Sequence, residues 1–191
     1  MARDTKQRMI ESAAELLRSK GLAAMSFTDI TEHSGTPRGV IYHHFPGGKV
    51  ELASEALTWT GSEVRRHLEE LDASTPMGLV EQYLISIRHL LVESMGGSSC
   101  AVAAVTIDET SCKGLLGGRA EAVFRSWIEV LQAKFVAKNV ESEMALDIAT
   151  SLVILLQGSH IVTRASGELD SFDRAARTAR TGIEILLNSR Q

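Results

Sequence analysis

Between Thr36 and Leu52 the chain reads TPRGVIYHHFPGGKVEL. Five side chains in it can carry charge or hydrogen-bond: Arg38, Tyr42, His43, His44 and Lys49. Such residue types suit a metal site, a catalytic site or a surface for nucleic acid. Adjacent histidines are poorly spaced for one metal, because neighbours on a helix diverge by about 100°. Arg38 can present its fork to guanine or to a phosphate. Tyr42 offers a hydroxyl on a rigid ring. Lys49 stands where a following helix opens, and there free N–H groups and the helix dipole favour an anion. Taken singly, Arg38 and Lys49 read better as solvated charges, and Tyr42 reads also as half-buried packing.

The flanking sequence supplies the elements that would position them. Ile10, Ala13, Ala14 and Leu17 recur at helical spacing, and Gly21 follows as a stop signal. Ser26 with Asp29 three residues on is a capping-box-like start for a short second helix, which ends at Gly35. A third short helix is expected from Thr36, with Pro37 at its first helical position. Phe45-Pro46-Gly47-Gly48 breaks it. Two short helices joined by a tight glycine turn predict a helix-turn-helix. Ile41 and Phe45 share one side and are expected to pack on Leu17 and Ile30. Gly39, Tyr42 and His43 then point outward, with Arg38 at a flank, while Pro37 and Gly39 keep the helix start slim. Ser26 and Thr28 open the second helix and can contact phosphate or base. Ser26 also reads as a cap.

The remainder predicts helix after helix. A long fourth helix runs from about Lys49 to Leu71, with Leu57, Gly61, Val64, Leu68 and Leu71 on one stripe. Val80, Tyr83, Leu84, Ile87 and Leu91 mark a fifth, which GGSS interrupts. The segment CAVAAVTIDET reads as a smaller helix, although Val-rich AVAAVTI is strand-like by propensity. Ala120–Phe135, Ala145–Ser159 and Phe172–Leu187 give three more helices. The fold class is all-α, with a helix-turn-helix domain over residues 1–46 and a helical bundle over 47–191.

Bulk properties narrow the function. A hydrophobic fraction of 44% over 191 residues supports a packed core. The net charge is −4, but residues 1–50 hold seven Lys/Arg against five Asp/Glu, and residues 51–191 hold thirteen against nineteen. Positive charge is needed only at a nucleic-acid contact face. No apolar run approaches the ~20 residues of a membrane span, and Met1–Lys20 is charged throughout, unlike a secretory signal. Cys100 and Cys112 make no disulfide framework, which fits a reducing cytoplasm. Only Lys113 stands beside either thiol, so both read as packing rather than redox-sensing residues. No phosphate loop, nucleophile elbow, HExxH or zinc spacing is present, so no enzyme, metal or cofactor is expected. His89 and Glu93, four apart, read as a solvated helix face.

The segment SFTDITEHSGTPRGVIYHHFPGGKVEL resembles the DNA-binding signature of the TetR (tetracycline-repressor-like) family. Ile30, Gly35, Gly39, Ile41, Tyr42, His44, Phe45, Lys49 and Leu52 fill that pattern. Thr31 stands where alanine is usual, and Thr36 where an apolar residue is usual. HHFPGG and SSCAVAAV resemble the LmrA/YxaF-like branch, although Ser99-Cys100-Ala101-Val102 lacks that branch's proline.

The resemblance implies a cytoplasmic, homodimeric transcriptional regulator, usually a repressor, on double-stranded operator DNA. Its two third helices would enter successive major grooves ~34–36 Å apart. The family's contacts carry over to Ser26, Thr28, Thr36, Pro37, Arg38, Gly39, Tyr42, His43, His44 and Lys49, with His44 read equally as a residue that hydrogen-bonds the turn. A small effector of unknown identity, apolar or aromatic, is expected in the bundle near Tyr83, Ile87, Met95, Cys100, Phe124, Trp127, Gln157 and His160. The last two helices would form the dimer, and no membrane is involved. The competing reading is a helical scaffold dimer without DNA affinity, against which the basic contact set argues.

Overall fold

A computed structural model describes residues 2–95, 99–108 and 114–189. Among the described residues there are nine helices and no strand. They are α1 (Ala2–Ala24), α2 (Phe27–Ser34), α3 (Arg38–His44), α4 (Gly48–Glu70), α5 (Pro76–Ser94), α6 (Ala101–Asp108), α7 (Leu115–Val136), α8 (Ser142–Ser166) and α9 (Asp170–Asn188). The expected interruption at Gly96–Ser98, and Cys112 with Lys113, fall outside the described residues.

The chain divides into two compact units. The first comprises Met1–Glu63 and Ser98–Val123, so α6 belongs with the helix-turn-helix. Leu17, Ile30, Ile41 and Phe45 are all fully buried there, as their spacing predicts. Gly35 ends α2 in the left-handed conformation, φ 64°, and its N–H donates to the Thr31 carbonyl. This reversal lets α3 follow without a long loop. α1 is broken at Gly21, whose φ of 77° and ψ of 174° are not helical. α6 packs on α1 with Ala101, Val102 and Val105 buried. Packing decides its helical form, which periodicity left open against strand.

The third helix differs from expectation at its start. Pro37 is the N-cap, with extended backbone (φ −65°, ψ 141°), and the first helical residue is Arg38. Thr36 therefore lies in the turn rather than in the helix.

The second unit comprises Val64–Gly97 and Phe124–Gln191. α5, α8 and α9 pack together in it. The Tyr83 hydroxyl donates to the Leu152 carbonyl at 3.1 Å, tying α5 to α8. Arg88 pairs with Asp173 at 3.0 Å, and Arg180 with Glu81, tying α5 to α9. Lys134 Nζ donates to the carbonyls of Glu69 and Leu71, satisfying the end of α4. α8 corrects one sequence expectation. Its 25 residues are long and apolar enough in composition to cross a membrane. One face, from Met144 and Ile148 through Leu152 and Leu156, is nevertheless core of this unit.

Candidate nucleic-acid interface

α3 spans seven residues, so few side chains can share its outer face. Pro37, Arg38, Gly39, Tyr42 and His43 are all exposed, while Ile41 is buried beneath them. Tyr42 is 57% exposed and stands edge-on against Phe27, with ring centroids 5.4 Å apart. That contact packs the ring against the start of α2 while most of the residue stays exposed. Arg38 has no ion pair or hydrogen bond among the described residues. A guanidinium with no internal partner is available to phosphate or guanine. A Cβ on Gly39 would meet no atom within 4 Å, so the absence of a side chain there is not required by packing.

The histidines divide their roles. His43 is exposed; His44 is half-buried, its ring 5.1 Å from that of His43 and 6.4 Å from that of Phe45. No hydrogen bond from His44 to the turn is present among the described residues, so it packs rather than caps.

Thr36 departs from the contact set. It is 4% exposed, and its hydroxyl pairs with that of Ser34 inside the turn. The left-handed Gly35 turns the next side chain inward. The hydroxyl of Thr31, the other departure from the family pattern, donates to the Thr28 carbonyl at 2.9 Å and is satisfied locally.

The start of α2 is a complete capping box. Ser26 Oγ accepts from the Asp29 N–H at 3.1 Å, and the Asp29 carboxylate accepts from both the N–H and the hydroxyl of Ser26. Lys20 Nζ donates to the same carboxylate at 2.6 Å. The Lys20 hydrogen bond first, and the two from Ser26 after it, hold the Asp29 carboxyl down at about 2, from an ordinary 3.8. The Ser26 hydroxyl is thus committed to the cap, while Thr28 is exposed.

Lys49 sits in the first turn of α4, half-buried, with Nζ 3.3 Å from the Ala23 carbonyl. One N–H expected to be open to an anion there is occupied: Gly47 N–H donates to Glu51 Oε2 at 2.7 Å. Glu51 places its own negative charge in that helix opening. An acidic residue in a helix's first turn was the available sequence signal. The Lys20–Asp29 pair had no comparable signal, since the two residues sit in different helices.

The effector candidates lie on α5, α7 and α8, at the end of α5 and just ahead of α6. Tyr83 is 2% exposed, its hydroxyl is engaged by Leu152, and burial pushes its pKa up. Ile87 and Trp127 are buried core, and Trp127 meets Phe124 edge-on at 5.3 Å. Met95 is exposed at the end of α5, and His160 is buried on α8. Cys100 is half-buried just ahead of α6, in the first unit rather than the second. Both the nitrogen and the oxygen of the Gln157 amide are buried with no hydrogen-bond partner. A cleft lined by Arg65, Glu69 and Lys134 and another lined by His67, Asp72 and Gln82 include none of these eight residues. Among the described residues no cluster of His, Cys, Asp or Glu is suited to a metal.

Comparison with known proteins agrees with this geometry. Residues 9–56 match the family described as bacterial regulatory proteins, tetR family, and residues 76–178 match the transcriptional regulator LmrA/YxaF-like C-terminal domain. The chain is 30% identical over 180 residues to the uncharacterized HTH-type transcriptional regulator Rv0196 of Mycobacterium tuberculosis, covering 92% of each chain. It is 24% identical to the HTH-type transcriptional regulator LmrA of Bacillus subtilis, over 84% of this chain and 86% of that one. A TetR transcriptional regulator from Legionella pneumophila has the same fold, with a TM-score of 0.79 at 22% identity over 94% of this chain and 95% of that one. The chain belongs to the TetR family of helix-turn-helix transcriptional regulators, in its LmrA/YxaF-like branch, and is not an enzyme.

Proposed function

We propose that the protein is a homodimeric repressor in the cytoplasm, released from operator DNA by a small apolar or aromatic effector. In this reading residues 1–46, together with Lys49 just after them, bind DNA, and residues 47–191 bind the effector and form the dimer. The observation that carries the DNA contact is the outer face of α3, where Arg38, Tyr42 and His43 are exposed above a buried Ile41. Arg38 and His43 reach bases or phosphate, Tyr42 and Lys49 reach phosphate, and Gly39 lets the backbone approach the groove. Thr28 joins them at the start of α2. Ser26, Pro37 and His44 set the geometry of these contacts.

Dimer formation is supported by exposed apolar residues on the last two long helices. Ile154, Ile161 and Val162 on α8, and Ile185 and Leu186 on α9, are all open in one copy. The effector reading is supported by the Gln157 amide, since a buried polar group without a partner is costly until something satisfies it.

The test is binding to the DNA upstream of the protein's own gene at several salt concentrations. Site-selective binding that is abolished in Tyr42→Ala or Lys49→Ala is the expected result. Equal, weak binding to any duplex would sink the proposal, because it would leave only nonspecific phosphate attraction.

A further inference from the structure

The break in α1 leaves two backbone groups to satisfy. In an unbroken helix the Leu22 N–H would donate to the Arg18 carbonyl. With Gly21 at φ 77° that bond is not made. Both orphaned groups are satisfied by the two ends of α6. Ser99, just ahead of α6, donates its backbone N–H (2.9 Å) and its hydroxyl (3.2 Å) to the Arg18 carbonyl. Asp108, the last residue of α6, accepts from the N–H groups of Leu22 (2.6 Å) and Ala23 (3.1 Å) through one oxygen, Oδ2. A Cβ on Gly21 would lie 2.8 Å from that oxygen, so the carboxylate closes only over a glycine. The Ala23 carbonyl in turn accepts from Lys49 Nζ.

We infer that Asp108 is a positioning residue for DNA binding: with Ser99 it latches α6 onto the α1 break, and through Ala23 it sets the place of Lys49. The latch joins the segment matched by the LmrA/YxaF-like C-terminal description to the segment matched by the tetR description, inside one compact unit. An ionised acceptor on two backbone N–H groups is a strong contact. Displacing α6 along α1 would break it and leave the Arg18 carbonyl and the Leu22 N–H unpaired. The α1–α2 turn would then lose its register, and Lys49 with it. This gives α6, through Asp108 and Ala23, a hold on the place of Lys49. It rests on the proposal that Lys49 contacts phosphate.

The test compares full-length wild type with Asp108→Ala, Asp108→Asn and Lys49→Ala, matched for helicity by circular dichroism. Where Asp108→Ala loses helicity, Asp108→Ser replaces it, because it stays polar but is too short to reach both amides. Two readouts are needed. Hydrogen exchange of the Leu22 and Ala23 amides is expected to speed up at least tenfold in Asp108→Ala and little in Asp108→Asn, which keeps an acceptor. Affinity for the DNA selected by wild type is expected to fall at least tenfold in Asp108→Ala. The slope of log K against log salt should become shallower by roughly 0.9 for each phosphate that the protein no longer neutralises. Adding Lys49→Ala to Asp108→Ala should then cost little more. Unchanged exchange would overturn the latch, and fully additive effects of the two substitutions on affinity would overturn its link to Lys49. A wild type that selects no DNA would defeat the function proposed above, while the exchange arm still decides the latch.

Discussion

Asp29 serves two elements at once. Its carboxylate closes the capping box of α2 and pairs with Lys20 of α1, so one charge joins the first two helices of the DNA-binding unit. The Lys20 hydrogen bond, followed by those from Ser26, lowers its pKa to about 2. A folded pKa below the unfolded value means that the stabilisation is complete above the unfolded value, near 3.8, and disappears as pH falls through about 2. The group is half-buried at the surface, so the effect is local and partly screened by salt. Asp29→Asn is therefore expected to melt below wild type at neutral pH, with the gap closing as the medium is acidified from about pH 4 towards 2. Thermal melts of the two proteins across that range check it. A gap that stays constant to the acid limit would show that the charge of Asp29 contributes nothing.

At the scale of elements, the turn between α2 and α3 separates two kinds of glycine. Gly35 has φ 64° with open space around its Cα, so Gly35→Ala meets only conformational strain, about 1–2 kcal/mol. Gly35→Asn should lose less, since asparagine tolerates the left-handed region. Gly39 sits in α3 without a positive φ and also in open space, so Gly39→Ala should stabilise the helix by roughly 0.5–1 kcal/mol. It should nevertheless weaken DNA binding if the backbone approaches the groove. Denaturant titrations beside DNA titrations read the two effects separately, and a Gly39→Ala protein that binds DNA as well as wild type would remove the close-approach argument. The same turn shows what was legible beforehand. The capping box at Ser26 and the stop at Gly35 follow from local chemistry, and the burial of Ile41 and Phe45 follows from i, i+4 spacing. The inward Thr36 does not, because its direction depends on the left-handed residue before it. α6 was ambiguous for a related reason: a short apolar run fits helix or strand until its packing partner, α1, is known. The bond from the Leu22 N–H to the Asp108 carboxylate spans 86 positions and has no local signal. The effector candidates are a mostly apolar set with the polar Gln157 and His160 among them, and residue type alone does not show which side chains already have partners. Tyr83 is one such residue, its partner being a helix carbonyl 69 positions away.

For the whole molecule, the charge asymmetry and the apolar surface support the proposed dimer. Residues 51–191 carry an excess of six acidic groups and residues 1–50 an excess of two basic ones. A single unit with so small a positive excess and a seven-residue α3 has little to hold DNA with, and pairing two of them doubles the contacts. The second unit provides a surface suited to that pairing. Ile154 and Ile161 are 65% and 56% exposed on α8, with the exposed Gly158 between them on the same stripe. Ile185, 63% exposed, lies three residues from Gly182 on α9. A Cβ on either glycine would meet nothing within 4 Å, so a partner helix can approach closely there. Burying one isoleucine contributes roughly 1.5–3 kcal/mol, and a twofold interface counts each residue twice. Ile161→Asp should therefore cost at least about 3 kcal/mol of dimer stability, a more than hundredfold weaker association. Sedimentation velocity is expected to show a dimer for wild type and a monomer for Ile161→Asp at the same concentration, with affinity for a two-half-site operator falling in parallel. Ile85→Asp is the control, since Ile85 is 57% exposed on α5, outside the proposed interface. A monomer from Ile85→Asp together with an intact dimer from Ile161→Asp would move the interface off the last two helices.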